Sequence, residues 1–436
     1  MTQYRSDSNT LLPTNKTIYE VVRLSDRVTP SGTMTDGFGR LRTSQPFTLF
    51  DSQHRYTVNE LWHTSNTGTA NANTEYVVHE SAVNMHVGTN ATDSTLRETK
   101  RVFAYQPGKS LLILNTFTMA EAQANLVQRV GYFGTYNGVY LEKNEANTCF
   151  VLRSNSSGTI VETRVAQEDW NRDTFDGSAN SYASTISTSN RGALNTSNTN
   201  IFWIDLEWLG VGDVRCGFIV DGLLIPAHIF HHDNLKTKPY MTTAILPTRL
   251  EIFNTGITAN NSTLKQICTS VISEGGYELR GKPRSVGRAA SNTFVMSATD
   301  TWYPIISIRL KSDQLDAVVL PKGVSALAEG NNGRAKYGLI INGALSGNTT
   351  YESVSSTSAV EYNYQANGIT GGTVLAQGYL GITNQTAAEV NLRGELFTYQ
   401  LTRNTFSSSA ETLTLAMQAG TSNDTGIGSI DWEEIS

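Results

Sequence analysis

Residues 200–232 read NIFWIDLEWLGVGDVRCGFIVDGLLIPAHIFHH, and the period of this stretch decides the fold class. Apolar residues alternate in three consecutive runs: Phe202, Ile204, Leu206, Trp208; then Val214, Cys216, Phe218, Val220; then Leu223, Ile225, Ala227, Ile229. Period two places each run on one face of a β-strand. Residues 210–213 (GVGD) mark the first reversal. Asp221-Gly222 marks the second, with the composition that a type I′ turn requires at its two positive-φ positions. Around that turn Val220 is expected to face Leu223, Phe218 to face Ile225 and Cys216 to face Ala227. In the first hairpin, a Glu207–Arg215 charge pair would set Asp205 opposite Gly217 and Trp203 opposite Ile219. The stretch therefore reads as a three-stranded meander forming one wall of a β-sandwich.

Working outward, 436 residues exceed the size at which a single core stops growing, so two domains are expected. Charged residues make up only 17 % and the net charge is −6, which argues against a nucleic-acid partner needing a basic face. Ser, Thr, Asn and Gly fill the loops, and long Ala/Leu/Glu/Lys helical stretches are nearly absent, so the class is all-β. Cys149, Cys216 and Cys268 have no metal-ligand spacing, and an odd count fits assembly in a reducing cytoplasm. The first ten residues, MTQYRSDSNT, have neither a basic nor an apolar segment of a signal peptide. No apolar run approaches the roughly 20 residues of a membrane span, so no membrane partner is expected.

The expected organisation is an extended N-terminal arm and docking segment over 1–50, and a large β-sandwich over 51–274. A linker over 275–290 (GGYELRGKPRSVGRAA) leads to a smaller β-sandwich over 291–436. The arm is polar, with one strand candidate at 17–22. Residues 36–52, DGFGRLRTSQPFTLFDS, admit two readings. One is a buckled loop with a strand that pins the arm to the first sandwich. The other is a docking segment that inserts Phe38, Arg40, Leu41, Arg42, Pro46 and Phe47 into a neighbouring subunit, Phe and Arg being common interface anchors. A short helix is expected at 121–128, and a Ser/Thr/Asn-rich loop at 177–200 leads into the meander.

Catalytic motifs are sparse. Asp205 and Glu207 lie two apart on the outer strand face and form a candidate glycan site, although Arg215 opposite accounts for at least one of them as a cross-strand pair. His228, His231, His232 and Asp233 are dense, but strand geometry points His228 and His231 to opposite faces, so neither a metal nor a cofactor is expected. Glu75, His79, Glu80 and His86 form a weaker cluster. Trp62, Trp170 and Tyr182 are aromatics able to stack on sugars or to serve as rim packing. Gly-x-Ser-x-Gly, the P-loop and the full Gly-x-Gly-x-x-Gly are absent.

The segment DGFGRLRTSQPFTLFDS resembles a signature near the N-terminus of virion structural proteins of tailed bacteriophages, cyanophages and other marine phages in particular. The resemblance extends to residues 129–133 (RVGYF), 202–222, 239–241 (PYM), 246–249 (LPTR), 306–311 (ISIRLK) and 358–362 (SAVEY). It implies jelly-roll or concanavalin-like sandwiches and a non-enzymatic structural component, in tail, baseplate, fibre or head decoration, located in the virion. Its partners would be other virion proteins and further copies of itself, a trimer by analogy with phage appendages. It transfers no catalytic residue. The alternative is a tail protein that binds or cleaves a host-surface glycan.

Overall fold

The computed structural model describes residues 45–187, 192–278, 280–330, 334–381, 388–391, 400–405 and 409–435. The expected docking residues Phe38, Arg40, Leu41 and Arg42 lie outside them. Strands of the N-terminal half are β1 (Phe47–Gln53), β2 (Trp62–Thr67), β3 (Asn73–Val77), β4 (Ala82–Val87), β5 (Ser94–Thr99), β6 (Leu111–Thr118), β7 (Leu126–Phe133) and β8 (Gly138–Asn144). They continue with β9 (Asn147–Ser154), β10 (Val161–Ala166), β11 (Asn200–Leu206), β12 (Val214–Val220), β13 (Leu223–Phe230), β14 (Thr248–Asn254) and β15 (Ser262–Ser273). One antiparallel sheet runs β13-β12-β11-β6-β15-β4-β3, with β1 also paired to β15. The other runs β10-β9-β8-β7-β14-β5-β2. The protein is all-β, and this half is a jelly-roll, concanavalin-like sandwich.

The core between the sheets is built from the alternating residues. Phe150 stacks on Trp170 at 4.3 Å and on Phe202 at 5.6 Å, and Phe218 meets Phe175 at 5.3 Å. Trp170 and Trp62 are therefore core residues rather than sugar platforms, whereas Tyr182 is exposed. Residues 121–125 form no helix and lead directly into β7; the described α-helix of this region is Tyr182–Ile186, capped by Ser181.

The meander forms as the alternation requires, with two corrections. Asp221 and Gly222 adopt φ of 49° and 80°, so the type I′ turn is present, and Val220 faces Leu223 and Phe218 faces Ile225. The first hairpin is shifted by two residues: Asp205, not Glu207, faces Arg215, and Trp203 faces Gly217. A slip of two preserves every face, so alternation alone could not detect it. The turn settles it, because Leu209 and Gly210 take positive φ and Glu207 and Asp213 are tied by a backbone hydrogen bond of 3.2 Å. In the second hairpin a bulge puts His228, not Ala227, opposite Cys216, and moves Ile229 to the outer face opposite Arg215.

As the edge of its sheet, β13 is protected within the chain. Pro226 sits at a position whose backbone groups point outward and has no N–H to offer. Farther along, the Asn171 side chain both donates to the Ile229 carbonyl and accepts from its N–H, at 2.9 Å each. The Arg172 and Asp173 amides donate to the Ala227 carbonyl. This edge needs no subunit contact to cover it.

In the C-terminal half, one sheet pairs Lys282–Gly287, Asp424–Ile435, Val318–Glu329 and Ala388–Asn391. The other pairs Glu352–Ser353, Val360–Asn363, Tyr303–Leu310, Thr412–Gln418, Arg334–Ile341 and Thr373–Gly381. A second core gathers Ile306, Ile308, Leu339, Leu415, Ile430 and Trp432. Residues 282–287 of the expected linker are thus a sheet strand, paired with residues 429–434. The boundary at 50/51 falls inside β1, where Phe50 is buried. Nor is the second sandwich loosely tethered. Val102 and Ala104 pack on Val318 and Leu320, with Ile245, Tyr277 and Ile435 around them.

Candidate functional site

The outer face of the meander carries the residues that the sequence singles out. Trp203 on β11 faces Gly217 on β12 because nothing larger fits. A Cβ on Gly217 would lie 2.7 Å from the Trp203 ring and 2.0 Å from the Ile225 carbonyl oxygen. The indole N–H donates to the Phe218 carbonyl at 3.2 Å, and the residue is 5 % exposed. It therefore floors the groove and is not an open stacking platform.

Around it, Leu112, Arg172, Asp205, Arg215, Leu224, Pro226, Ile229 and Glu274 line a shallow groove of ≈ 450 Å³. Arg215 lies 3.5 Å from Asp205. Burial raises the Asp205 carboxyl to about 6; Arg215 pulls it down, while Glu274 and Glu207 push it up further. Ser110 bridges toward this group, its hydroxyl donating to Glu274 at 3.2 Å. Glu207 lies just past the end of β11 and is exposed. Glu207 does act on Asp205 electrostatically, but Glu274, from the end of β15, is a neighbour that strand spacing did not reveal. Chemically, the arrangement is one carboxyl able to exchange a proton near pH 6, flanked by two acids and an arginine.

The opposite sheet carries a second charged feature, invisible in the sequence. On its outer face Arg153 meets Glu162 at 2.8 Å and Arg164 meets Glu162 at 2.5 Å and Glu142 at 2.7 Å. Arg129 joins Glu142 at 2.7 Å to Glu251 at 3.2 Å, and Arg249 joins Glu251 at 2.5 Å to Glu98 at 3.1 Å. The guanidiniums of Arg129, Arg153 and Arg249 also lie 5.0–5.5 Å from the rings of Tyr140, Phe133 or Phe253. Burial opposes ionisation of Glu162 and Glu142, yet hydrogen bonds prevail. Tyr140, Arg153 and Arg164 hold Glu162 down at about 2, and Arg164 and Arg129 hold Glu142 below the usual range. Burial pushes Glu98 up, against the pull of Arg403 and Arg249.

The histidine cluster separates. The His228 ring accepts from the Asn171 amide, and burial lowers it to about 4. His232 stacks on Tyr240 at 3.9 Å and bonds the Gly212 carbonyl. His231 sits 3.1 Å from both Asp213 oxygens, and with Asp233 these groups bring ligand-capable atoms within 4.8 Å of one another. Asp213 joins them from the turn just before β12, a position that spacing within residues 228–233 does not reveal. His231 and Asp233 are exposed, and the acid–histidine pair accounts for the proximity of two of the three. In the weaker cluster, His86 lies 3.6 Å from Glu75, while Glu80 pairs with Lys265 at 2.7 Å.

Of the docking residues, Pro46 and Phe47 are described. Pro46 is exposed and precedes β1; Phe47 opens that strand and stacks on Tyr277 at 5.7 Å, beside the seam between the sandwiches.

No protein-family model matches the chain, and no curated protein does. Among solved structures it is similar to the carbohydrate recognition domain of Emp47p, with 10 % identity, 52 % of this chain and 97 % of that one covered, and a TM-score of 0.33. It is also similar to the CBM2 module of the evolved Dit of Lactobacillus casei BL23 phage J-1, with 8 % identity, 54 % and 100 % covered, and a TM-score of 0.34. A carbohydrate esterase from Shiga toxin-encoding bacteriophage phi24B is similar at 12 % identity, 52 % and 99 % covered, and a TM-score of 0.29. At these values the likenesses accompany the jelly-roll architecture and decide nothing about activity or ligand.

Proposed function

We propose that this chain is a non-enzymatic structural component of a tailed-phage virion, present in multiple copies and fastened through its N-terminal segment. The observation that carries the non-catalytic part is the ion ladder. Glu98, Glu142, Glu162 and Glu251, the carboxylates joined across the broad sheet face, are each clamped by arginine, so the face is a rigid, charge-balanced slab. The virion address rests on the resemblance of residues 36–52 and the segments matched with it. Self-association, as a trimer or another closed ring, rests on analogy with phage appendages. Localising the chain in intact particles by cryo-EM tests the address directly. A chain beginning at Pro46 keeps β1 whole and is expected to fold but not to enter particles; normal incorporation would overturn the role of the N-terminal segment. A strictly monomeric mass by light scattering at micromolar concentration would count against self-association in solution.

The Asp205 groove favours a second reading, a tail protein that binds or cleaves a host-surface glycan. A carboxyl poised near pH 6 beside further acids is the chemistry of a proton donor. Incubating the full chain with host capsular polysaccharide or lipopolysaccharide separates the readings. Reducing ends that appear with the native chain and vanish in Glu207→Gln or Asp205→Asn would overturn the non-enzymatic reading. Glycan retention without cleavage would support an adhesin.

A further inference from the structure

Inside the first sandwich, between the sheets, the chain buries an arginine that no carboxylate among the described residues meets. Arg97 on β5 is 2 % exposed, and its side chain crosses to the opposite sheet. Its Nε donates to Gln266 Oε1 and its Nη1 to Thr64 Oγ1, both at 2.7 Å, and the guanidinium lies 5.7 Å from the centre of the Trp62 ring. Nη2 has no partner. Burial is what acts on its basicity, lowering it to about 10, with no acid opposing.

The neighbours repeat the pattern. Gln266 accepts from Arg97 through Oε1, which fixes its amide orientation and leaves Nε2 as an unpartnered donor. His54, directly after β1, accepts the Asn59 amide at Nδ1, so the neutral ring carries its proton on Nε2, which is also unpartnered. Burial and the charge of Arg97 lower His54 to about 4, outweighing the neighbouring Gln266 side chain, which favours the protonated ring, so it stays neutral at ordinary pH. Farther along the same interior row, Asn115 accepts from Thr269 at 3.1 Å and leaves its Nδ2 unpartnered. All four orphans are buried nitrogens, and those of Arg97, Gln266 and His54 belong to side chains that face one another.

A buried cation is tolerable when a counter-charge or hydrogen-bond acceptors complete it. Here the protein supplies a charge and donors in excess, and the missing complement is an acceptor with negative charge. We propose that Arg97, Gln266 and His54 form an internal site for a small inorganic anion of the halide class, held by Arg97 Nη2, Gln266 Nε2 and His54 Nε2–H. The site lies where β1 meets β15 and β5, so the anion would fasten to the sandwich the strand that continues the N-terminal segment. The near-complete burial of three donors around one charge distinguishes this site from arginines exposed on a surface.

The test uses the full chain crystallised from sodium bromide, with anomalous scattering collected at the bromine edge. An anomalous peak at hydrogen-bond distance from Arg97 Nη2 is expected. In parallel, exchanging gluconate for bromide at constant ionic strength should raise the melting temperature by about 2–4 °C. Gln266→Glu supplies a covalent counter-charge, so it should melt higher than the native chain in gluconate and lose the bromide dependence. Arg97→Met should also lose that dependence; if it does not fold, the Gln266→Glu comparison still decides. Only water at the site, without anomalous signal, would overturn the proposal, as would an unchanged bromide response in Gln266→Glu.

Discussion

Arg403, from the C-terminal sandwich, places its Nη2 2.5 Å from Glu98 Oε1 of the N-terminal one, and both side chains are almost wholly buried. The same guanidinium reaches Asp316, and Glu98 is held from its other side by Arg249 at 3.1 Å. The ion ladder of one sandwich thus ends in the other. With the apolar patch around Val102, Ala104, Val318 and Leu320, it fastens two cores that sequence composition separated by a linker.

Removing Arg403 leaves Glu98 buried with one partner. Arg403→Ala is expected to destabilise the chain by about 3–5 kcal/mol, the cost of breaking a buried pair from one side. The double variant Glu98→Leu/Arg403→Leu should recover a large part of that loss. Urea unfolding followed by tryptophan fluorescence measures both; equal losses in the single and double variants would contradict the coupling.

Stability should rise with pH between about 4 and 6.5. His54 and His228 are lowered to about 4 in the folded state, and His63 and His232 are lowered too, from about 6.5 in the unfolded chain. A depressed histidine contributes stability above its unfolded value and loses it as pH falls through the folded one. Asp205 has the opposite sign. Its folded value of about 6 exceeds the unfolded 3.9 or so, and its contribution is lost as pH rises through 6. Asp205→Asn should therefore steepen the rise, by up to about 1.4 kcal/mol per pH unit. Urea midpoints at intervals across this range, in both chains, check the sign.

Gly217→Ala puts a methyl group where the Trp203 ring and the Ile225 carbonyl already stand. A loss of about 1–3 kcal/mol is expected, as for other overpacked sites. A change in near-ultraviolet circular dichroism should accompany it as the indole moves. A neutral substitution would mean that the meander relaxes more easily than its geometry implies.

Phe150 touches Trp170, Phe202 and Phe218 at the centre of the first core. Phe150→Ala is expected to cost about 3–5 kcal/mol. The cost should appear in the unfolding of the N-terminal sandwich, read by limited proteolysis, with cleavage within residues 51–274 appearing first.

What the sequence determined by itself is local. Alternation from Phe202 to Ile225 set the faces of three strands, because side chains in a strand obey a period of two whatever surrounds them. Asp221-Gly222 set a turn, because few residue pairs tolerate two positive φ angles. Low charge and the scarcity of helical stretches set the class. Tertiary structure decided everything that depends on distant partners. The two-residue slip that gave Arg215 to Asp205 leaves every face unchanged, so only the turn around Leu209 and Gly210 could choose it. The bulge at Ala227 and His228 moved Ile229 into the groove, and Glu274 arrived there from a strand that begins more than 50 residues after Asp205. Glu142 and Arg164, like Glu98 and Arg403, are ordinary surface-type residues in the sequence. They pair because Glu142 and Arg164 stand on one face of the sheet two strands apart, and Glu98 and Arg403 meet where the two sandwiches touch, relationships that no spacing in the chain encodes. Arg97 likewise reads as a polar residue in a polar strand, and only the closing of one sheet over the other buried its charge.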